Sequence, residues 1–216
     1  MRVDLLSFAA FTFTAYLSAA SDLHEAARRS DFDTIKKEVQ TADEANARNS
    51  EAESLLISAA EGGEEKIVRF LLERGADINA KDRNGQTPLF RAVSAGNANV
   101  AKLLIQKGAD LSTHYGDKKE TILFEAVRLG DLDVIRELIK KRPQLLKEKN
   151  ADGETALFEA VRSAQANAAR LLIELGIDRD ARDKNGRKAR DLADPKTDSE
   201  VIKALETKKK ARPTNR

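Results

Sequence analysis

One stretch of the chain defines its repeating design: residues 82–111 read DRNGQTPLFRAVSAGNANVAKLLIQKGADL. Within it, Leu89, Ala92 and Val93 follow the i, i+3, i+4 spacing that is typical of one face of a helix. The same spacing starts again at Val100. The stretch therefore predicts two short amphipathic helices in succession.

The ends of both helices are marked by residues that favour caps and turns. Thr87 is suited to cap the first helix and Pro88 to occupy its first turn. Gly96 and Gly108 are placed to end the two helices, and Asn84-Gly85 is a strong turn dipeptide. Because helices of this length are marginal alone, each must gain its stability by burying an apolar face on its neighbours.

The pattern recurs along the chain at a fixed period. TPLFRAV from Thr87, TILFEAV from Thr121 and TALFEAV from Thr155 follow one another at steps of 34 residues. Steps of 33 residues lead back to Ser54 and Ser21, and forward to the degenerate KARDLA. A period of this length indicates stacked repeats, here five with a sixth, truncated one.

These coupled motifs resemble the ankyrin repeat, with Asp-x-x-Gly-x-Thr-Pro-Leu-x-x-Ala followed by Leu-Leu-x-x-Gly-Ala-Asp. The resemblance implies an all-α solenoid of helix-turn-helix units with extended finger loops, and a role in binding proteins. It extends over residues 21–206. The expected repeats lie near 21–48, 49–81, 82–115, 116–149 and 150–182, with a cap at 183–206.

A phenylalanine column departs from the family pattern, which has histidine after Thr-Pro-Leu. The column consists of Phe90, Phe124 and Phe158. We predict that these side chains form an apolar ladder inside the stack. The alternative is a ligand groove lined by phenylalanine, as in a small-molecule carrier.

Other departures predict local changes in the later repeats. Two fingers each carry one extra residue, and in the first of them Lys119 replaces the turn glycine. Arg142-Pro143 replaces Gly-Ala, so that helix should end differently from its neighbours. In the sixth repeat Arg190 replaces a leucine and Asp194-Pro195 should cut the first helix, as suits a polar terminal cap.

The resemblance also implies where a partner would bind, because ankyrin relatives grip proteins with their finger tips and first helices. The matching positions of this chain, together with Tyr115, which is chosen for its chemistry, are Arg83, Asn84, Gln86, Tyr115, Asp117, Lys118, Glu120, Arg128, Leu129, Asp152, Glu154 and Arg162.

The centre of this site is predicted at Tyr115, Arg128 and Leu129, because aromatic residues and arginine dominate interface energetics. In the alternative, Tyr115 packs along its own finger and Leu129 fills a gap between repeats. Glu125 with Arg128, and Glu159 with Arg162, are i, i+3 pairs that taken singly indicate a solvated charged face.

Composition argues against catalysis, cofactors and nucleic acid. The net charge is +2 with basic and acidic residues mixed along the chain, so no basic stripe for nucleic acid stands out. There is no cysteine, and His24 and His114 fall in different repeats, so neither a zinc site nor a catalytic triad is expected. The chain is expected to be a monomeric, non-enzymatic protein-binding module without a cofactor.

The two ends differ from the repeats. Leu5 to Ala20 is an uncharged, largely apolar run ending in small residues, shorter than the roughly 20 residues of a membrane span. Residues 1–20 therefore predict a cleaved secretory signal and a periplasmic or secreted protein, without stable membrane insertion. The alternatives are a retained helix that caps the first repeat in the cytoplasm or tethers the stack to a membrane. Residues 207–216 form a basic tail that is expected to be disordered.

Overall fold

The chain is organised as short helices in pairs, followed here in a computed structural model that describes residues 22–194 and 198–206. The predicted signal at 1–20, the tail at 207–216 and Pro195 lie outside the described residues. The chain divides into two compact units with the boundary between Ala109 and Asp110. We call them unit 1 and unit 2.

In its described part, unit 1 consists of short helices joined by turns, with one isolated bridge between Arg48 and Ser54. Its helices are α1 (22–28), α2 (Phe32–Glu38), α3 (Ala42–Ala45), α4 (Leu55–Gly62), α5 (Glu65–Glu73), α6 (Pro88–Ser94) and α7 (Ala98–Gln106). The first helices α4 and α6 of successive repeats pack on each other, and the second helices α5 and α7 do the same.

Unit 2 repeats this arrangement and adds a small hairpin. Strands β1 (His114–Tyr115) and β2 (Glu120–Thr121) pair antiparallel. The helices are α8 (Ile122–Leu129), α9 (Leu132–Lys141), α10 (Ala156–Arg162), α11 (Ala166–Leu175) and α12 (Ser199–Glu206), with 3-10 turns at Pro143–Leu146 and Ala189–Leu192. Helix α8 packs on α10, and α11 packs on both α9 and α12. The predicted all-α repeat fold is confirmed, with this hairpin as an addition.

The boundaries of α6 follow the predicted capping residues. The Thr87 hydroxyl accepts a hydrogen bond from the Phe90 amide at the start of α6, and Pro88 is the first helical residue. After the helix, Gly96 takes a φ of 75°, which a residue with a Cβ adopts only at a cost. The buried residues of α6 include Leu89, Ala92 and Val93, as predicted from their spacing.

The predicted irregularities of unit 2 are also present. Helix α9 ends at Lys141, and Pro143 opens a 3-10 turn that Arg142 braces through a 2.6 Å hydrogen bond to Glu148. The extra residue of this repeat was predicted in its finger, and that prediction is wrong. The finger Asn150 to Glu154 closes like Asp82 to Gln86, so the extra residue lies in the segment after α9 instead. The first helix of the sixth repeat is reduced to the 3-10 turn Ala189–Leu192.

The phenylalanine column belongs to the core. Phe124 and Phe158 are fully buried, and Phe90 is half-buried. In the first repeat the column position holds His24, which is 1% exposed and shares a 2.6 Å hydrogen bond between its Nδ1 and the Ser58 hydroxyl. The predicted apolar ladder is therefore confirmed for Phe124 and Phe158.

Successive repeats within a unit are joined through backbone carbonyls at the end of a first helix. Asn97 Nδ2 donates to the carbonyls of Ala60 and Glu61 at 3.0 and 2.8 Å. A Cβ placed on Gly63 would lie 2.6 Å from Asn97 Oδ1, so glycine leaves the space in which the amide sits. In unit 2, Gln165 Nε2 donates to the Arg128 carbonyl at 3.0 Å in the same way.

Candidate functional site

Unit 2 carries a connected set of arginine and glutamate side chains that spans two repeats. Arg128 lies at its centre. Its Nε donates to Glu159 at 2.9 Å, its Nη2 donates to Glu120 at 2.7 Å, and its Nη1 pairs with Glu125. Glu120 comes from β2, Glu125 from the same helix as Arg128, and Glu159 from α10 of the next repeat.

Glu159 connects Arg128 to a second arginine. Arg162 Nη1 donates to Glu159 at 2.8 Å and Arg162 Nη2 donates to Glu154 at 2.6 Å. The Ser163 hydroxyl donates to Glu159 at 2.9 Å. We call the six charged residues the Arg128 network, namely Glu120, Glu125, Arg128, Glu154, Glu159 and Arg162.

The carboxylates of this network are buried deeper than its arginines. The Glu154 and Glu159 side chains are each 4% exposed, whereas the Arg128 side chain is 40% exposed. Burial of a carboxylate is costly unless charges and hydrogen bonds compensate it. The guanidinium groups of Arg128 and Arg162 compensate the buried carboxylates, and both arginine side chains remain partly exposed.

The surroundings of Glu159 and Arg128 favour the charged form of each group. Burial alone would raise the pKa of Glu159, but the hydrogen bond from Ser163 and the charge of Arg128 outweigh it and lower this pKa below its usual value. Burial would lower the pKa of Arg128, yet the hydrogen bond to Glu120 and the charges of Glu159 and Glu125 raise it. Arg128 and Glu159 therefore both stay ionised near neutral pH.

Unit 1 has a comparable but looser set of charges. Arg28 pairs with Glu53 and donates to Glu61 at 3.0 Å, and Arg91 donates to Asp82 at 3.1 Å. The contact between Arg91 Nη1 and Glu61 Oε1 connects the Arg28 pairs to the Arg91 pair, and it is 3.6 Å long. Each unit thus presents arginine side chains held in place by acidic neighbours.

The predicted site residues differ widely in exposure. In unit 1, Arg83 and Asn84 are exposed and Gln86 is half-buried. In unit 2, Asp117, Lys118, Asp152 and Arg162 are exposed, and Glu120 and Arg128 are half-buried. Leu129 is 45% exposed, and it is the exposed large hydrophobic side chain of the part of the chain that the structure describes. Glu154 is buried within the Arg128 network.

Tyr115 corrects part of the predicted centre. Its side chain is only 7% exposed, so it offers a partner almost no aromatic surface. In the hairpin, Tyr115 pairs with Glu120. In the finger of the third repeat the corresponding pair is Asp82 and Gln86, where the amide of Asp82 donates to the carbonyl of Gln86. The extra residue of this finger is therefore at the tip, and Tyr115 takes the inward-facing position of Asp82. The alternative in which it packs along its own finger matches this burial.

An open depression of about 380 Å³ lies beside the Arg128 network. Its lining consists of Tyr115, Gly116, Asp117, Lys118, Glu120, Arg128, Glu159 and Arg162. The phenylalanine column contributes nothing to the walls of the depression. Four of its charged lining residues pair with one another, namely Glu120, Arg128, Glu159 and Arg162. The depression is suited to a polar contact with a partner surface rather than to an apolar small molecule.

Neither a metal-holding cluster nor a membrane-spanning helix is found among the described residues. Among residues 22–194 and 198–206, no group of three or more histidine or acidic side chains is placed to hold a metal ion. His24 is buried against Ser58, and His114 lies exposed in β1. Within the same ranges, none of the helices has the length and apolar character needed to cross a membrane.

Comparison with known proteins gives consistent results. The family model described as ankyrin repeats (3 copies) matches residues 23–115 and 112–183. The structure of the predatory endopeptidase Bd0816 from Bdellovibrio bacteriovorus in complex with immunity protein Bd3460 contains a chain that is 30% identical, with a TM-score of 0.76. The alignment covers 87% of this chain and 97% of that one.

A second solved structure extends the comparison to another organism. An ankyrin repeat domain from Acinetobacter baumannii AYE is 27% identical to this chain, with a TM-score of 0.71. That alignment covers 85% of this chain and 95% of the other. The search of curated proteins finds no match.

Proposed function

The chain belongs to the ankyrin repeat family, and from this membership we propose that it is a non-enzymatic module that binds a protein partner through its finger tips and first helices. The observation that carries the proposal is the exposure of Leu129 directly beside the Arg128 network. An apolar side chain next to partly exposed arginines is the composition expected of an interface centre.

The pairing of these charges supports binding in a second way. Ordering a long side chain at an interface costs conformational entropy, which lowers affinity. Arg128 and Arg162 are already fixed by hydrogen bonds of 2.6 to 2.9 Å to acidic neighbours. A partner therefore meets a surface whose charged groups are placed before contact.

We propose that the protein partner is an endopeptidase and that this chain inhibits it. The support is the Bdellovibrio complex of an endopeptidase with an immunity protein, one of whose chains aligns with this one over 97% of its length. A simple protective role follows, in which the module covers a surface of the enzyme until the enzyme reaches its target.

The partner site is tested by affinity capture with the full chain, comparing Leu129→Ala with the wild type. We expect the wild type to enrich an endopeptidase, and Leu129→Ala to bind it about tenfold more weakly, as for an interface hot spot. Arg136, exposed on the second helix α9 of the same repeat, provides the matched control as Arg136→Ala. Equal affinities for both variants would remove Leu129 from the interface.

We also propose that the chain is exported by means of residues 1–20, and acts in the periplasm or outside the cell. The uncharged run Leu5 to Ala20 and the small residues that close it support this proposal. Amino-terminal sequencing of the chain purified from its source is expected to give a start near Ser21. A retained Met1 would instead favour the membrane-tethered or cytoplasmic alternatives.

A further inference from the structure

The finger between His114 and Thr121 differs from the other fingers of the chain. It is a paired hairpin whose tip is the four residues 116–119, with sequence GDKK. In the other fingers the tip has three residues, as in Asp82 to Gln86 and Asn150 to Glu154, where the first residue's amide bonds to the last residue's carbonyl. We call this longer finger the Tyr115 hairpin.

Several contacts hold the Tyr115 hairpin in one position within unit 2. Tyr115 is buried at its base, and Glu120 accepts the 2.7 Å hydrogen bond from Arg128. At the tip, the Lys118 carbonyl accepts a 2.6 Å hydrogen bond from the amide of Ala151. Lys118 Nζ also lies 3.4 Å from an Asp152 carboxylate oxygen. The four tip residues are nevertheless all exposed.

Lys119 stands at a backbone position that the chain otherwise gives to small residues. Its φ is 52°, in the left-handed region that residues with a Cβ rarely adopt. The corresponding finger residues are Gly85, Gly153 and Gly186, with Ala52 in the first finger. Such local strain collects at functional positions, where the surrounding structure enforces it.

The left-handed backbone at Lys119 determines where the positive charge of this side chain is placed. Lys118 is engaged by Asp152, whereas Lys119 has no ion pair among the described residues. A glycine would satisfy the turn without presenting any side chain. Lysine at this position instead projects an unpaired ammonium group from a finger whose backbone is fixed at both ends.

We propose that the tip of the Tyr115 hairpin enters an acidic cleft of the protein partner, with the Lys119 ammonium group contacting carboxylates inside it. This inference rests on the proposed function and adds the chemistry of the partner surface. The tip is one residue longer than the tips of the other fingers and is exposed throughout, which suits entry into a recess. Its two lysines against the single Asp117 give it a net positive charge, which selects a recess lined by Asp or Glu. Because the hairpin is fixed beforehand, little ordering opposes its insertion.

The experiment measures binding of the captured partner to the full chain carrying Lys119→Gly, Lys119→Arg or Lys119→Glu. We expect Lys119→Gly to leave the melting temperature unchanged or raised, and to weaken binding about tenfold with a smaller dependence on salt. Lys119→Arg should bind like the wild type, and Lys119→Glu should bind most weakly. Ala164, with a φ of 53°, supplies the backbone control as Ala164→Gly, which should leave affinity unchanged.

The outcomes separate this inference from the function on which it rests. If the wild type and Lys119→Gly bind the captured partner equally well, the inference is overturned and the binding function stands. If the wild type captures no partner under conditions in which it is folded, both are overturned. Loss of binding in Lys119→Gly together with recovery in Lys119→Arg supports the insertion of a basic tip.

Discussion

Replacement of Phe124 with alanine is expected to destabilise unit 2 by about 3–5 kcal/mol, the usual cost of removing a buried phenylalanine. Phe124 is fully buried in α8, which packs on α10 of the next repeat. The substitution removes apolar contacts and leaves a cavity that the short helices cannot fill by themselves. Urea-induced unfolding followed by circular dichroism measures the change as a lower midpoint.

The half-buried Phe90 provides the matched comparison, because it occupies the same column position in α6 of unit 1. Phe90→Ala should cost clearly less than Phe124→Ala, since less surface returns to water. A different result would favour the alternative in which the phenylalanine column lines the groove of a small-molecule carrier. In that case Phe124→Ala would leave the unfolding midpoint in place and abolish binding of an apolar ligand.

The second large effect is a loss of stability in acid that depends on His24. Burial, followed by the charge of Arg28, lowers the pKa of His24 from 6.5 to about 4. The unfolded chain therefore takes up a proton before the folded chain does as the pH falls below 6.5. The stabilisation is complete above pH 6.5 and is lost as the pH falls towards 4, amounting to about 3 kcal/mol.

The contribution of His24 is isolated by comparing the wild type with His24→Gln. Glutamine does not titrate, so the variant should keep the acid sensitivity due to carboxylates and lack the part due to histidine. The difference between the two unfolding free energies should therefore change between pH 7 and pH 4. A constant difference over this range would show that His24 is protonated as easily in the folded chain as in the unfolded one.

The repeat fold could be predicted from the sequence because its signals are local and recur. Thr87 and Pro88 mark a helix start by their own chemistry, and a threonine again precedes a helix at Thr121 and Thr155. Even the altered exit at Arg142-Pro143 could be anticipated, since proline cannot continue a helix in the ordinary way. The helix starts and ends that these residues favour depend only on near neighbours in the chain.

The Arg128 network could not be predicted from single pairs. The sequence shows Glu125 and Arg128 three residues apart, but the buried partner Glu159 lies 31 residues away, and it comes close only through stacking. One signal was present. Glu120 precedes Arg128 by 8 residues, and Glu154 precedes Arg162 by the same interval. A pair that recurs at the repeat period indicates a shared structural position.

Tyr115 shows a second limit, which concerns register. Its aromatic ring was predicted to be available to a partner because the finger is polar. The outcome depended on where the extra residue is accommodated. Placed at the tip, it moves Tyr115 to the base of the hairpin, where the ring is buried. A single inserted residue therefore decides whether a side chain faces a partner or the interior.

The joints between neighbouring repeats depend on atoms that every amino acid possesses. The Asn97 side chain donates to the carbonyls of Ala60 and Glu61, and the Gln165 side chain donates to that of Arg128. These hydrogen bonds do not depend on which side chain the accepting residue carries. Mutations that change the chemistry of residue 61 or 128 leave the acceptor in place. Side chains on this surface can thus change without removing the hydrogen bonds that join the repeats beneath them.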